Sequence, residues 1–240
     1  MSGFLLVLSF FTRLPLGKYV EYTEKRYLEG LATFPLTGIV IGAFLTLPYL
    51  MIDGDSAIAG LLVVIIYLFI TGGIHLDGLA DSCDGLFSNR PKERVLEIMK
   101  DSHIGTFGVI ALIIYFLCFY VGITRVDWLW LLLMPLVGKT MGFFAAGLST
   151  YAREDQGMGF LFIDRIQKKH SIIYLTLLLL AIGGLLNIDG LIALCGAFVA
   201  TMTIMNLTKK VIGGQTGDTI GMTIEVSQMV FLLCGALLGR

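Results

Sequence analysis

The chain has 240 residues, of which 56% are hydrophobic and only 15% charged, with a mean hydropathy of +0.86 and a net charge of −1. A soluble domain carries about a quarter charged residues, so this composition excludes an ordinary globular protein and points to an all-α, polytopic integral membrane bundle set in a lipid bilayer. The near-zero net charge leaves no basic footprint for nucleic acid, and Cys83, Cys118, Cys195 and Cys234 stand far apart, in no zinc spacing, as small reduced hydrophobes.

Residues 1–16 are apolar, but they are too short to span comfortably, are interrupted by Arg13, and lack a basic start and a small-residue cleavage site. They read as an N-terminal interfacial or re-entrant segment rather than a signal peptide. After the polar stretch 17–30, apolar runs at about 31–52, 57–76, 104–123, 127–149, 171–187, 190–208 and 223–239 predict about seven transmembrane helices in a single catalytic domain, 1–240. Most of the 17 Lys and Arg residues fall in four loops on one side: 13–30, 77–103, 150–170 and 209–222. The other side carries Asp53, Asp55, Asp127 and Asp189 with only Arg125 and the terminal Arg240. The positive-inside rule therefore predicts a multi-pass protein of the cytoplasmic (inner) membrane whose four polar loops, and any site built on them, face the cytoplasm.

The densest chemistry lies in 75–108. Asp77, Asp81 and Asp84 sit at relative positions 0, 4 and 7, so a helix presents them on one side. Like charges so placed repel unless a cation sits among them, and hard carboxylate oxygens suit Mg²⁺. Gly78 and Gly85 each follow one of these acids and permit close approach of backbone or ligand. Asp101 is either a fourth ligand or the N-cap of the next helix. His75, two residues before the stripe, is either a structural histidine or a participant in the chemistry.

A second cluster runs from Gly213 to Glu225. Gly214, Thr216 and Gly217 form either a phosphate-cradling loop at a helix start or a glycine-rich turn, and the Walker Gly-Lys-Ser/Thr pattern is absent. Asp218 is a candidate ligand or base, and Glu225, entering an apolar run, reads as functional. The seven-residue spacing of Asp218 and Glu225 echoes that of Asp77 and Asp84, too short a match to establish a repeat. In the 150–170 loop, Arg153 either grips phosphate through forked hydrogen bonds or simply contributes to the positive side. Lys139, about ten residues inside a span between Gly138 and Gly142, needs an ion-pair partner and is a candidate for an anionic substrate. Metal-binding acids, a Gly/Thr loop and cations on one face are the parts phosphoryl transfer requires.

The run His75-Leu-Asp-Gly-Leu-Ala-Asp-Ser-Cys-Asp-Gly-Leu-Phe87, then Arg94…Lys100-Asp101-Ser102…Gly105, then Gly214-Gln-Thr-Gly-Asp218-Thr-Ile-Gly221 resembles the cobalamin synthase (adenosylcobinamide-GDP ribazoletransferase) family. The segments Phe4–Pro15, Phe34–Gly38 and Tyr151–Gly157 are similar too, so the likeness covers nearly the whole chain. One departure is Lys139, where the family pattern tends to carry Arg, which keeps charge but not forked geometry. The resemblance implies a Mg²⁺-dependent membrane transferase completing coenzyme B12. A hydroxyl of α-ribazole or its 5′-phosphate attacks the cobinamide-side phosphorus of adenosylcobinamide-GDP, releasing GMP and adenosylcobalamin or its 5′-phosphate. Under this reading Asp77, Asp81, Asp84 and Asp101 hold Mg²⁺. Asp218 and Glu225 complete a second metal site or take the proton, His75 assists, and Arg153, Lys139 and the Gly214–Gly217 loop bind phosphate. It also leaves room for a homo-oligomer. Alternatives are a CDP-alcohol phosphotransferase, against which Asp81 stands where that family has Arg, a prenyltransferase, or a cation or metabolite transporter.

Overall fold

The structure is a computed structural model that describes residues 2–52, 56–154 and 157–238. Asp53, Asp55, Asp155, Gln156 and Arg240 lie outside the described residues. Eleven α-helices follow one another: α1 (Ser2–Phe11), α2 (Glu24–Leu31), α3 (Thr37–Met51), α4 (Ser56–Thr71), α5 (Ile74–Leu86), α6 (Lys92–Ile98), α7 (Thr106–Ile123), α8 (Trp128–Gly147), α9 (Met158–Arg165), α10 (Lys168–Ile212) and α11 (Gly217–Leu238). Apolar side chains all round the long helices are what a bilayer demands, since only internal backbone hydrogen bonding survives in hydrocarbon. Start signals sit where polar loops meet these runs. The Thr23 hydroxyl accepts from the Arg26 N–H (3.2 Å) to cap α2, and Asp127 accepts from the Leu129 N–H (2.9 Å) to cap α8.

Among the described residues, five helices are long and apolar enough to cross a membrane, and the bent α4–α5 pair makes six. The 45-residue α10 is itself two antiparallel arms. Asn187, at φ 56° and ψ −146°, breaks its helical path. Beyond the break, a Cβ at Gly190 would meet the Ile182 carbonyl at 3.3 Å, although eight residues of continuous helix span about 12 Å. Both ends of α10 also return to the same end of α8. Near the first, the Ser171 hydroxyl donates to the Phe143 carbonyl (3.1 Å), and just past the second, the Gln215 N–H donates to the Thr150 carbonyl (2.9 Å). Counting the arms separately gives seven crossing segments, so the chain is an integral membrane protein of the expected architecture.

One expectation needs correcting. The run 57–76 is not one straight helix. It ends at Thr71, turns by 89°, and restarts as α5 at Ile74. Gly72 (φ 61°) and Gly73 (φ 71°) take the left-handed conformation that the turn requires. The N-terminal segment braces this elbow: the Arg13 N–H donates to the Ile70 carbonyl (2.7 Å), and the Arg13 side chain lies against Gly72. The short helix α1 itself packs on α2, burying Leu6, Val7 and Leu8.

α11 runs through the middle of the bundle, against α5, α7, α8 and α10. Small residues set its closest approaches. At Gly138 a Cβ would come within 2.8 Å of the Ile224 carbonyl, and Gly142, one turn on, faces the Ile224 side chain. The main core fills the space between α3, α4, α5, α7, α8, α10 and α11. A second core, aromatic in character, joins α1, α2, α9 and the site-facing ends of α8 and α11.

Candidate active site

The elbow after α4 swings α5 across the end of the bundle and onto the N-terminus of α11. The two helices touch at Gly78, where a Cβ would lie 2.8 Å from the Asp218 carbonyl oxygen, so only a glycine permits the approach. Gly221 answers from the other side, 3.2 Å from the His75 backbone by the same measure. Asp218 is thereby set against the acid face of α5. Asp81, half-buried, lies within electrostatic reach of Asp77, Asp218, Asp84 and Arg153, while Asp77 is exposed.

Arg153 reaches this seam from the loop after α8. Its Nη2 donates to Asp218 Oδ2 at 2.8 Å, and its Nε is buried without a partner among the described residues. A short parallel bridge fixes the loop: the Ala152 N–H donates to the Gln215 carbonyl (2.9 Å), next to the Gln215–Thr150 bond. The glycine-rich loop is largely self-satisfied. Thr216 caps α11, its hydroxyl accepting from the Thr219 N–H (3.3 Å) while the Thr219 hydroxyl accepts from the Thr216 N–H (2.8 Å). Gly214 is packed against the Thr150 carbonyl. Gly217 is exposed at the first turn, where helical N–H groups lack intrahelical partners and favour anions.

The third acid of the stripe faces elsewhere. Asp84 accepts from the N–H groups of Gly105 (2.7 Å) and Gly108 (2.9 Å), and so caps α7 from a neighbouring helix. The N-cap position of α7 is Gly105, which overturns the reading of Asp101 as that cap. Tertiary contact with Asp84 supplies what a local cap would. Asp101 is exposed and accepts instead from the His103 N–H (3.0 Å) and ring Nδ1 (2.7 Å), bonds that hold its carboxyl below the usual range. It shares a separate cavity with Asp84, Arg94 and Glu97.

Glu225, Lys139 and His75 are buried, with 1%, 2% and 5% exposure. The Tyr67 hydroxyl donates to Glu225 Oε1 (2.6 Å), and the Gln228 amide nitrogen donates to Glu225 Oε2 (2.7 Å), sharing its hydrogens with the hydroxyls of Tyr67 (2.6 Å) and Tyr115 (2.9 Å). Lys139 Nζ lies 3.0 Å from His75 Nδ1 and 5.3 Å over the Phe34 ring, within electrostatic reach of Glu225. Sequence reading missed Tyr67, Tyr115 and Gln228. The signal available was a hydrogen-bonding side chain within an apolar run, which in a membrane must find a partner.

Two cavities meet at the acid face. One of about 240 Å³ is lined by His75, Asp77, Asp218 and a set of aromatic rings. The other, about 870 Å³, lies between α1 and the helices α4, α5 and α7 and includes Arg13 and Thr71. Both include Phe10, Ile74 and Asp77. Among the described residues no three His, Cys, Asp or Glu side chains converge into a closed metal cage. Mg²⁺ does not require one, since it is commonly held by one or two carboxylates together with water and substrate phosphate. Asp77 and Asp81, one turn apart beside Asp218, are a donor set of that kind.

A helical membrane bundle that gathers carboxylates and cavities at one end defines the class: an integral membrane protein with a polar site at one end of its bundle. The profile of the Cobalamin-5-phosphate synthase family matches residues 3–236. The adenosylcobinamide-GDP ribazoletransferase of Alkaliphilus oremlandii is 39% identical over 240 residues, covering 99% of this chain and 98% of the relative. Those of Clostridium acetobutylicum (38% over 238 residues; 95% and 93%) and Listeria monocytogenes serotype 4b (37% over 250 residues; 99% and 98%) are similar throughout as well. The chain belongs to the cobalamin-5-phosphate synthase family. No solved structure matches it.

Proposed function

We propose that this protein is an adenosylcobinamide-GDP ribazoletransferase, a transferase that carries out the last assembly step of cobalamin biosynthesis. An acceptor hydroxyl of α-ribazole, or of its 5′-phosphate, attacks the cobinamide-side phosphorus of adenosylcobinamide-GDP. The new P–O bond replaces the bond to the GMP phosphate, GMP leaves, and the hydroxyl proton passes to a carboxylate. The observation that carries this reading is the Gly78–Asp218 contact, which brings the Arg153–Asp218 pair onto the acid face of α5, where Asp218 lines the smaller cavity and Asp77 borders both.

Each residue's part follows from its placement. Asp77 and Asp81 would hold Mg²⁺, which would neutralise phosphoryl oxygens and favour the leaving group. Arg153 offers phosphate its unpartnered Nε as well as the group now on Asp218, a fork suited to two oxygens. Asp218, freed as Arg153 turns to phosphate, accepts the hydroxyl proton. The first turn of α11 at Gly217 adds unpaired N–H groups and the positive end of the helix dipole. Asp84 acts by fixing α7 against α5. Lys139 and Glu225 act from behind, through His75.

The Lys and Arg concentrated in the loops at this end support a site on the cytoplasmic side of the inner membrane, where phosphorylated substrates are made. All groups named come from one chain. The test is product formation by the purified protein in detergent. GMP should appear only when adenosylcobinamide-GDP and α-ribazole (or its phosphate) are both supplied, in a one-to-one ratio with the cobamide. Activity that needs sealed vesicles, or GMP released without acceptor, would contradict the reading.

A further inference from the structure

The larger cavity, about 870 Å³ between α1, α4, α5 and α7, has few groups left to donate a hydrogen bond. Three hydroxyls stand on its wall, and each gives its hydrogen to a carbonyl about one turn back. Ser9 donates to Leu6 (2.8 Å), Thr12 to Leu8 (2.5 Å) and Thr71 to Tyr67 (2.8 Å). The charged side chains on the wall are Arg13 and Asp77, and much of the remainder is apolar, as at Leu68, Leu112 and Phe116. Asp77 belongs to the acid face, whereas Arg13 takes no part in the transfer as proposed.

Arg13 is held from both sides yet left without a counter-charge. Its backbone N–H donates to the Ile70 carbonyl (2.7 Å), which ties the end of α1 to the end of α4. Its side chain crosses the elbow at Gly72, where a Cβ would collide with Nε, so the glycine lets the guanidinium lie there. Bracing the elbow needs only that backbone bond and the apolar stem of the side chain. Among the described residues no carboxylate or other acceptor stands within hydrogen-bonding distance of the guanidinium, which is exposed at the cavity wall. Arginine stays charged at any working pH, and a cation beside apolar walls calls for an anion.

We propose that Arg13 is a phosphate-binding residue, holding in the larger cavity a phosphate group that the reaction does not transfer. The inference rests on the proposed function and deepens it. Two phosphates of the reactants meet that description: the one that departs with GMP, and the 5′-phosphate of the phosphorylated acceptor. Each offers paired oxygens to a planar guanidinium fork. Arg153 does not line this cavity, so it leaves this second phosphate to Arg13. Asp77 borders the same space, which makes a substrate group at Arg13 continuous with the acid face. The volume is ample for a nucleoside phosphate.

The test uses full-length protein in detergent with two variants. Arg13→Met keeps an apolar stem without the charge, and Arg13→Lys keeps the charge without the fork. Binding is read by thermal unfolding with Mg²⁺ and inorganic phosphate or pyrophosphate. Either anion should raise the native unfolding temperature, and roughly tenfold more should be needed for the same rise in Arg13→Met. GMP release is then measured with each substrate varied. If Arg13 holds the acceptor phosphate, KM for α-ribazole 5′-phosphate should rise roughly tenfold in Arg13→Met, with KM for α-ribazole and adenosylcobinamide-GDP within about twofold. If it holds the departing phosphate, KM for adenosylcobinamide-GDP should rise roughly tenfold with either acceptor. Arg13→Lys should fall between native and Arg13→Met, and it decides the matter by itself if Arg13→Met does not fold. A folded variant with native KM values and a native response to both anions overturns the inference. So does a lowered unfolding temperature and kcat with every KM unchanged, or an equal rise in all three KM values, since a brace alone would give these. Absence of acceptor-dependent GMP release from the native protein would remove the proposed function, while the anion measurements would still decide whether Arg13 binds phosphate.

Discussion

Asp77 and Glu225 are both carboxylates on the two helices that cross at Gly78, yet their surroundings are opposite. Asp77 is exposed, has no side-chain partner among the described residues, and borders both cavities. Glu225 is 1% exposed, with both oxygens occupied by Tyr67 and Gln228. A carboxylate open to the cavities is available to a cation and a phosphoryl group. A sealed and fully bonded one organises its neighbours, here Lys139 and through it His75. The difference separates acids that meet substrate from acids that hold the site in shape, a distinction spacing alone does not make.

Mutations should divide along that line. The largest effect on turnover is expected at the acid face: Asp81→Asn should lower GMP release by on the order of 100-fold or more with unchanged helicity and elution volume, since a carboxylate proposed to hold Mg²⁺ is lost. Glu225→Gln should act first on stability. It removes a buried carboxylate that accepts from Tyr67 and Gln228 and lies within electrostatic reach of Lys139, a loss of about 1–3 kcal/mol. Adding Lys139→Met should recover part of the loss, which thermal unfolding in detergent would register as a non-additive double-mutant cycle. Full additivity would mean that the two residues do not form a unit.

Gly78→Ala tests the joint between the regions. Its Cβ would meet Asp218 backbone at 2.8 Å, so α5 and α11 must separate, at about 1–3 kcal/mol, and turnover should fall with stability. Asp84 gives the smallest effect and the finest distinction. Asp84→Ala should destabilise by about 0.5–2 kcal/mol through loss of the α7 cap, whereas Asp84→Asn, which keeps one of the two accepted hydrogen bonds, should lose less stability and little activity. A collapse of Mg²⁺-dependent turnover in Asp84→Asn at native stability would return Asp84 to the metal.

Much of this was legible in the sequence where the governing physics is local. Hydropathy marks the crossing segments, and the Asn187–Asp189 interruption separates the two arms of α10. The 0, 4, 7 spacing puts Asp77 and Asp81 side by side on α5, while the carboxyl of Asp84, two turns along, is taken up by α7. Contacts between distant segments were not legible. Nothing near Asp84 indicates that Gly105 and Gly108 will present their N–H groups to it, and Tyr67 and Gln228 are 161 residues apart. The elbow at Gly72-Gly73 was readable in principle, as paired glycines inside an apolar run, but its 89° turn depends on Arg13 and α1 packing behind it. The aromatic lining of the smaller cavity was hidden for the same reason, because Phe11, Phe34 and Phe162 each look like ordinary membrane residues until the fold brings them together.

The central claim is that the exposed acids of the α5–α11 seam use Mg²⁺ to transfer the cobinamide-phosphoryl group. The direct measurement is a Mg²⁺ titration of GMP release by chelator-stripped protein in detergent, run beside Asp77→Asn. The account predicts no release without metal, saturable activation of the native protein, and a curve for Asp77→Asn shifted to higher Mg²⁺ with a lowered plateau. Equal turnover with and without Mg²⁺, or superimposable curves for the two proteins, would contradict it.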